Sequence, residues 1–276
     1  MSGKEKIISS ASFMSSLINN RSLIFQMTKR DILSKYKGSA IGVVWSLINP
    51  ILMLVIYTLV FSVVFKARWG NSAADEPKTQ FAVILFVGMI IHSFLAECLI
   101  RAPNLILQHA NYVKKVVFPL EILPVVTVLS SVFQSIISCA VLIMAFFVFN
   151  GYVNWTIIFA PIVFLPLVIL SLGLSWLISS LGVYIRDIGQ SIGVIVTVLI
   201  FLSPVFYPLA ALPDWMQSIV LINPLTYIIE QSRAVIVWGQ LPVFLGVAIY
   251  SVNSIWITCV CYIWFQKTRG GFADVI

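Results

Sequence analysis

The chain has 276 residues, 60% of them apolar and only 10% charged, and a formal net charge of +7. A soluble domain carries about 25% charged residues, so composition excludes one and predicts an all-α integral membrane protein, a single transmembrane domain over residues 1–276. The positive charge could serve nucleic acid, but its distribution, counted below, argues instead for cytoplasmic anchoring and no nucleic-acid partner.

Residues 1–20 intersperse Ser and Asn among short apolar pairs, so no secretory leader is expected. Residues 21–38 then carry Arg21, Lys29, Arg30, Lys35 and Lys37. At helical spacing Ile24, Phe25, Ile32 and Tyr36 fall on one side, with Arg30 and Lys37 roughly opposite. That pattern predicts an amphipathic helix lying in the membrane interface. Gly38 supplies a stop and Ser39 a start for the next helix.

Six apolar runs follow, at 40–65, 81–100, 122–149, 155–182, 188–206 and 242–265, each read as a membrane crossing. Pro50, Pro161 and Pro166 lie inside these runs and predict kinks. With the amino terminus inside, thirteen basic residues fall on the inner side: Lys4, Lys6, Arg21, Lys29, Arg30, Lys35, Lys37, Arg101, Lys114, Lys115, Arg186, Lys267 and Arg269. Only Lys66, Arg68, Lys78 and Arg233 fall outside. The imbalance places both termini in the cytoplasm. Between the fifth and sixth runs, Pro204, Pro208, Pro213, Pro224 and Pro242 interrupt residues 203–241. Asp214 and the pair Asn223-Pro224 can open two short helices there. A re-entrant pair over 207–238, dipping into the outer leaflet, accounts best for this stretch.

Chemistry is sparse. No G-x-x-x-x-G-K-[ST] phosphate loop occurs, so the chain is not expected to hydrolyse ATP. Cys98, Cys139, Cys259 and Cys261 all sit in apolar runs without metal-ligand spacing and read as small core residues. His92 and His109 read as structural. Glu97 and Arg101 stand four apart and can pair on one helix face. Glu230 and Arg233, three apart in the second broken helix, are candidates for a gate together with Trp215. Tyr57, Phe61 and Phe65 recur every four residues as an aromatic stripe, suited either to packing or to stacking on sugar rings. Ser171, Ser175 and Ser179, and Gly189 with Gly193, form small-residue rows that permit close helix approach.

One stretch carries a family resemblance. Lys29-Arg30-Asp31, Lys35-Tyr36-Lys37-Gly38-Ser39, Gly42, Trp45 and Asn49-Pro50 resemble the opening of the membrane subunits of ABC type-2 exporters. The likeness is greatest to the branch that exports O-antigen, capsule and teichoic-acid chains, and it extends over most of the sequence. It implies a half-transporter that dimerises and is driven by two copies of a separate ATPase subunit. ATP and Mg would be bound by that partner, with no cofactor in this chain and no catalysis by it. It also implies that the inner loop 101–121 carries a coupling helix seated in a cleft of the ATPase. By position, the docking residues would be Asn104, Gln108, His109 and Asn111, supported by Lys29, Arg30 and Lys35. Polysaccharide channels of this branch are lined by aromatic residues, which favours a channel role for Tyr57, Phe61 and Phe65. The expected cargo is a lipid-linked polysaccharide crossing a bacterial inner membrane. The alternatives are export of a drug or small lipid on the same scaffold, an integral membrane transferase and, more weakly, a channel.

Overall fold

The computed structural model describes residues 17–64, 69, 78–115 and 118–276, and these are mostly helical with no strand among them. Eleven helices are labelled in chain order. They are α1 (Arg21–Ser34), α2 (Trp45–Tyr57), α3 (Lys78–Leu105), α4 (Ala110–Lys115), α5 (Ile122–Asn150) and α6 (Ala160–Tyr184), then α7 (Ile188–Phe201), α8 (Asp214–Ile222), α9 (Pro224–Ile236), α10 (Phe244–Thr268) and α11 (Phe272–Val275). Among the described residues, five stretches are long and apolar enough to cross a membrane: Gly42–Phe61, Phe81–Leu105, Ile122–Asn150, Trp155–Tyr184 and Phe244–Val275. The chain is a multi-pass membrane protein.

The fifth run expected from sequence differs from a full crossing. Its helix, α7, has 14 residues, or about 21 Å at 1.5 Å per residue, against a hydrocarbon core of ~30 Å. The helix ends because Pro204 biases the residue before it away from helical backbone. The freed carbonyls are not left bare. Asn223 Nδ2 donates to Leu202 O at 3.0 Å, and Arg233 donates to Pro204 O at 2.6 Å and to Val205 O at 3.0 Å. Irregular backbone persists at membrane depth where protein supplies its partners in this way.

The centre of the molecule is α3, whose Phe81–Val87 stretch is nearly solvent-free. It packs on α5, α6, α7 and α9. Small residues set how closely helices approach. A Cβ added at Gly182 would collide with the Pro103 backbone, and one at Gly173 would come 2.7 Å from Thr258 Cα. The row Ser171, Ser175 and Ser179 is fully buried within this one chain, whereas Gly193 faces open space. Pro161 lies in the first turn of α6, where it costs nothing, rather than inside it as expected. Pro50 and Pro166 are interior.

Two further expectations change. The amino-terminal helix ends at Ser34, four residues early, and Gly38 follows in a turn at φ +88°. Its faces also differ: Ile24 is buried, but Phe25 is 70% exposed. The α1 helix lies against α5, and that contact selects Ile24 and Met27 over Phe25. The first crossing is not α-helical throughout, since Thr58–Val64 forms a π-helix. The Thr58 hydroxyl donates to Leu54 O at 2.7 Å and competes with peptide N–H groups for that acceptor. The end of the bundle holding α1, Arg101, α4 and the carboxyl terminus is called the basic end below.

Candidate functional site

At the basic end, α1, the last turns of α3, α4 and the start of α5 enclose a groove of about 700 Å³. Five of the seven residues predicted to dock an ATPase line it: Arg30, Asn104, Gln108, His109 and Asn111. They converge because Leu105 ends α3 and a tight turn at Leu107–His109 redirects the chain into α4. His109 Nδ1 meets Leu105 O at 2.8 Å. Its ring stacks on Tyr112, which in turn stacks on Phe118 with centroids 4.6 Å apart. Each such ring pair is worth about 0.5–1.5 kcal/mol beyond its burial, so the turn is stiffened from one side. Lys29 is exposed on α1 and does not line the groove. Lys35 points elsewhere.

Lys35 belongs to a charge quartet. The expected pair Glu97 and Arg101 forms, with Nη1 to Oε1 at 3.5 Å. Sequence reasoning missed that α1 supplies the complement. Asp31 accepts from Arg101 at 2.6 Å, and Lys35 pairs with Glu97. Burial pushes the Asp31 carboxyl up, but the hydrogen bond and charge of Arg101 and the charge of Lys35 outweigh it, so the net shift is downward. A signal was available: Asp31 and Lys35 are spaced four apart, like Glu97 and Arg101, with the signs arranged to match. The satisfaction is incomplete. Asp31 Oδ2, Thr28 Oγ1 and Ser130 Oγ are shielded from solvent without a hydrogen-bond partner. From the same turn, Tyr36 donates to Gln134 at 3.1 Å, and Gln134 donates to Ser46 O at 3.0 Å. One polar seam therefore ties α1 to α2, α3 and α5.

On the other side of that seam lies a smaller groove of about 180 Å³ between α2, α3 and α5. Tyr57 lines it together with Asn49, Ser93, Glu97 and Gln134. Asn49 and Ser93 are exposed although they sit within apolar spans. Phe61 is not beside Tyr57 in this groove. The π-turn carries it between Phe81, at 5.8 Å, and Phe206, at 6.1 Å. Phe65 lies outside the described residues.

At the far end, Glu230 and Arg233 form an ion pair at 2.9 Å. Arg233 is fully buried. It donates to Ile84 O at 3.2 Å and to the Pro204 and Val205 carbonyls. Trp69 covers its guanidinium face at 4.2 Å. Trp215 is exposed on α8 and is not part of this cluster. Of the three gate candidates, the structure joins two and leaves the third apart. His92 bridges α3 to α7 through Val196 O at 3.2 Å. Among the described residues, no group of three or more His, Cys, Asp or Glu could hold a metal.

The comparison with known proteins decides the class. The profile of the ABC-2 type transporter family matches residues 22–237, well over half of the chain. The chain belongs to the ABC-2 type transporter family. Membership implies a permease subunit that is not itself the catalyst, working with an ABC ATPase partner in a dimeric arrangement. Among curated proteins it is similar to the O-antigen export system permease protein RfbA of Myxococcus xanthus, 24% identical over 265 residues covering 94% of this chain and 97% of that protein. Two permeases of the same name from Klebsiella pneumoniae are also 24% identical, over 255 residues covering 92% of this chain and 95% of theirs.

Proposed function

We propose that this chain is the transmembrane subunit of an ATP-driven exporter moving a lipid-linked, O-antigen-like polysaccharide from the cytoplasm across a bacterial inner membrane. The observation that carries the reading is the near-full-length likeness to permeases of O-antigen export. The absence of a phosphate loop from the sequence supports a separate ATPase. Two copies of this chain enclose one path, and two ATPase subunits drive it.

The basic end is cytoplasmic, together with both termini, because thirteen of the seventeen Lys and Arg fall on that side. The chain crosses six times, the fifth crossing being α7 completed by the irregular residues 202–208. The α8 and α9 helices return within the outer leaflet and gate the outer mouth. The ATPase docks against the groove lined by Arg30, Asn104, Gln108, His109 and Asn111, with Lys29 at its edge. Closure of the nucleotide-bound ATPase pair pushes α4 and α1, and the quartet of Asp31, Lys35, Glu97 and Arg101 passes the push to α3. The cargo slides along the face bearing Asn49, Tyr57 and Ser93. Exposed polar groups at membrane depth belong beside a water-filled path or a partner rather than lipid, and an aromatic ring binds a sugar face without reading its identity.

Reconstitution tests this directly. The chain and its ATPase partner in proteoliposomes should move polysaccharide only when ATP is supplied. Transport of a drug or small lipid, unaffected by Tyr57→Leu and Phe61→Leu, would transfer the scaffold to a different cargo.

A further inference from the structure

The carboxyl-terminal residues do something that a trailing tail does not. Arg269 pairs with Glu121 at 2.8 Å, and Glu121 is a buried residue at the head of α5. The Trp176 indole of α6 donates to the Glu121 carbonyl at 3.0 Å. Tyr184, at the end of α6, donates to Thr268 O at 2.7 Å. Phe272 is fully buried against Tyr184 and Phe265. The Gly271 backbone passes close to the Tyr184 ring, so that a Cβ there would lie 2.7 Å from the Tyr184 hydroxyl. The α11 helix then rests directly on α4.

The topology makes this contact consequential. Motion of α4 reaches α3 and α5 through the chain itself. The last crossing, α10, packs chiefly on α6, and Thr258 fixes that pair by donating to Ile169 O at 2.8 Å. The segment after Thr268 joins α10 to the head of α5 through Arg269 and to α4 through α11, beside the apolar packing of Tyr262 and Phe265 in the same buried cluster as Ile122 and Leu123.

We propose that residues 269–276 are a tie-rod: they lock the α4 connection to the α6 and α10 pair, so that a push at the groove moves the last crossing with it. The inference rests on the transport reading only in requiring an ATPase that moves α4. It is independent of the cargo.

The test is a distance measurement on the complex with the ATPase partner. Native cysteines are replaced and spin labels are attached at Lys114→Cys on α4 and Ile263→Cys on α10, both at exposed positions. With the tie-rod intact, the distance should stay constant when a non-hydrolysable ATP analogue is added, because the two sites move together. Phe272→Ala and Arg269→Glu should let the distance change with nucleotide, and Arg269→Glu with Glu121→Arg should restore constancy. Cargo moved per ATP should fall about fivefold or more in the two single variants, the size of an ordinary coupling loss. A nucleotide-dependent distance already present in the unaltered chain would overturn the proposal. So would a distance that stays constant in both single variants, or loss of ATPase assembly in both, which would make the segment a prop. A constant distance in the unaltered chain with no polysaccharide moved would instead contradict the cargo reading and leave the tie-rod standing.

Discussion

Two arginines, Arg101 and Arg233, each pair with a glutamate on their own helix, and sequence spacing alone treats them alike. Their surroundings separate them. Arg233 has no exposure and divides its donors among three backbone carbonyls and Glu230, with Trp69 on its face. Arg101 keeps 28% of its side chain exposed at the wall of a groove, in a quartet where neighbouring polar atoms lack partners. A fully satisfied buried cation rigidifies a unique arrangement, whereas a half-satisfied network leaves room for a second one. We infer from the comparison that Arg233 fixes the inner face of the α9 gate helix to α3 and to residues 204–205 as scaffold, and that the charged cluster at the basic end has more room for motion.

Breaking the scaffold should have the largest effect. Arg233→Met leaves three buried carbonyls without their donor, and each buried acceptor left unsatisfied costs about 1–3 kcal/mol. The chain should fail to accumulate as a monodisperse species in detergent extracts. A normally folded Arg233→Met chain with selectively impaired export would reverse the assignment of the two arginines.

Breaking the quartet should spare the fold and remove the work. Arg101→Asp places an acid beside Asp31 and Glu97, and export by the reconstituted complex should fall about tenfold or more. The paired change Asp31→Arg with Arg101→Asp should recover much of it. A smaller effect is expected at the groove. His109→Ala removes the ring stacked on Tyr112, a contact of about 1 kcal/mol, and binding of the ATPase partner should weaken about fivefold with little change in melting temperature. Smaller again, Tyr57→Leu should slow glycan export a fewfold while leaving ATPase assembly intact.

The least of these effects is the response to acid. Asp31 titrates below the ordinary carboxylate value of 3.8, so its pairing contributes stability above that value and loses it as pH falls through the depressed one. A spin label on Phe25→Cys, at an exposed position of α1, should therefore gain mobility only at strongly acid pH. Asp31→Asn should show the mobile signal at neutral pH already.

Much of the scaffold was legible in the sequence because long apolar runs have few outcomes in a membrane. Asn223-Pro224 also announced a helix start, and Asn223 Oδ1 does accept from Leu225 N at 2.9 Å. What escaped depended on partners distant along the chain. The face of α1 was misjudged at Phe25 because α5 claims Ile24. The end of α7 at Phe201 depends on Asn223 and Arg233 satisfying carbonyls that would otherwise have to stay in a helix. The π-turn at Thr58–Val64 broke a stripe that assumed 3.6 residues per turn. At the basic end, the family resemblance, carried over by position, named Asn104, Gln108, His109 and Asn111 in the inner loop and Arg30 on the first helix, and all five line one groove. Asp31 went unread because its partner is 70 residues away.

The central claim is that force generated in a separate ATPase enters this chain at the basic-end groove. The most direct measurement is export of lipid-linked polysaccharide into proteoliposomes containing the chain, with and without the ATPase partner and ATP. The account expects accumulation only with all three components present, and its loss when the groove is altered by Asn104→Asp with Asn111→Asp. Equal accumulation by the chain alone, with no nucleotide consumed, would contradict it.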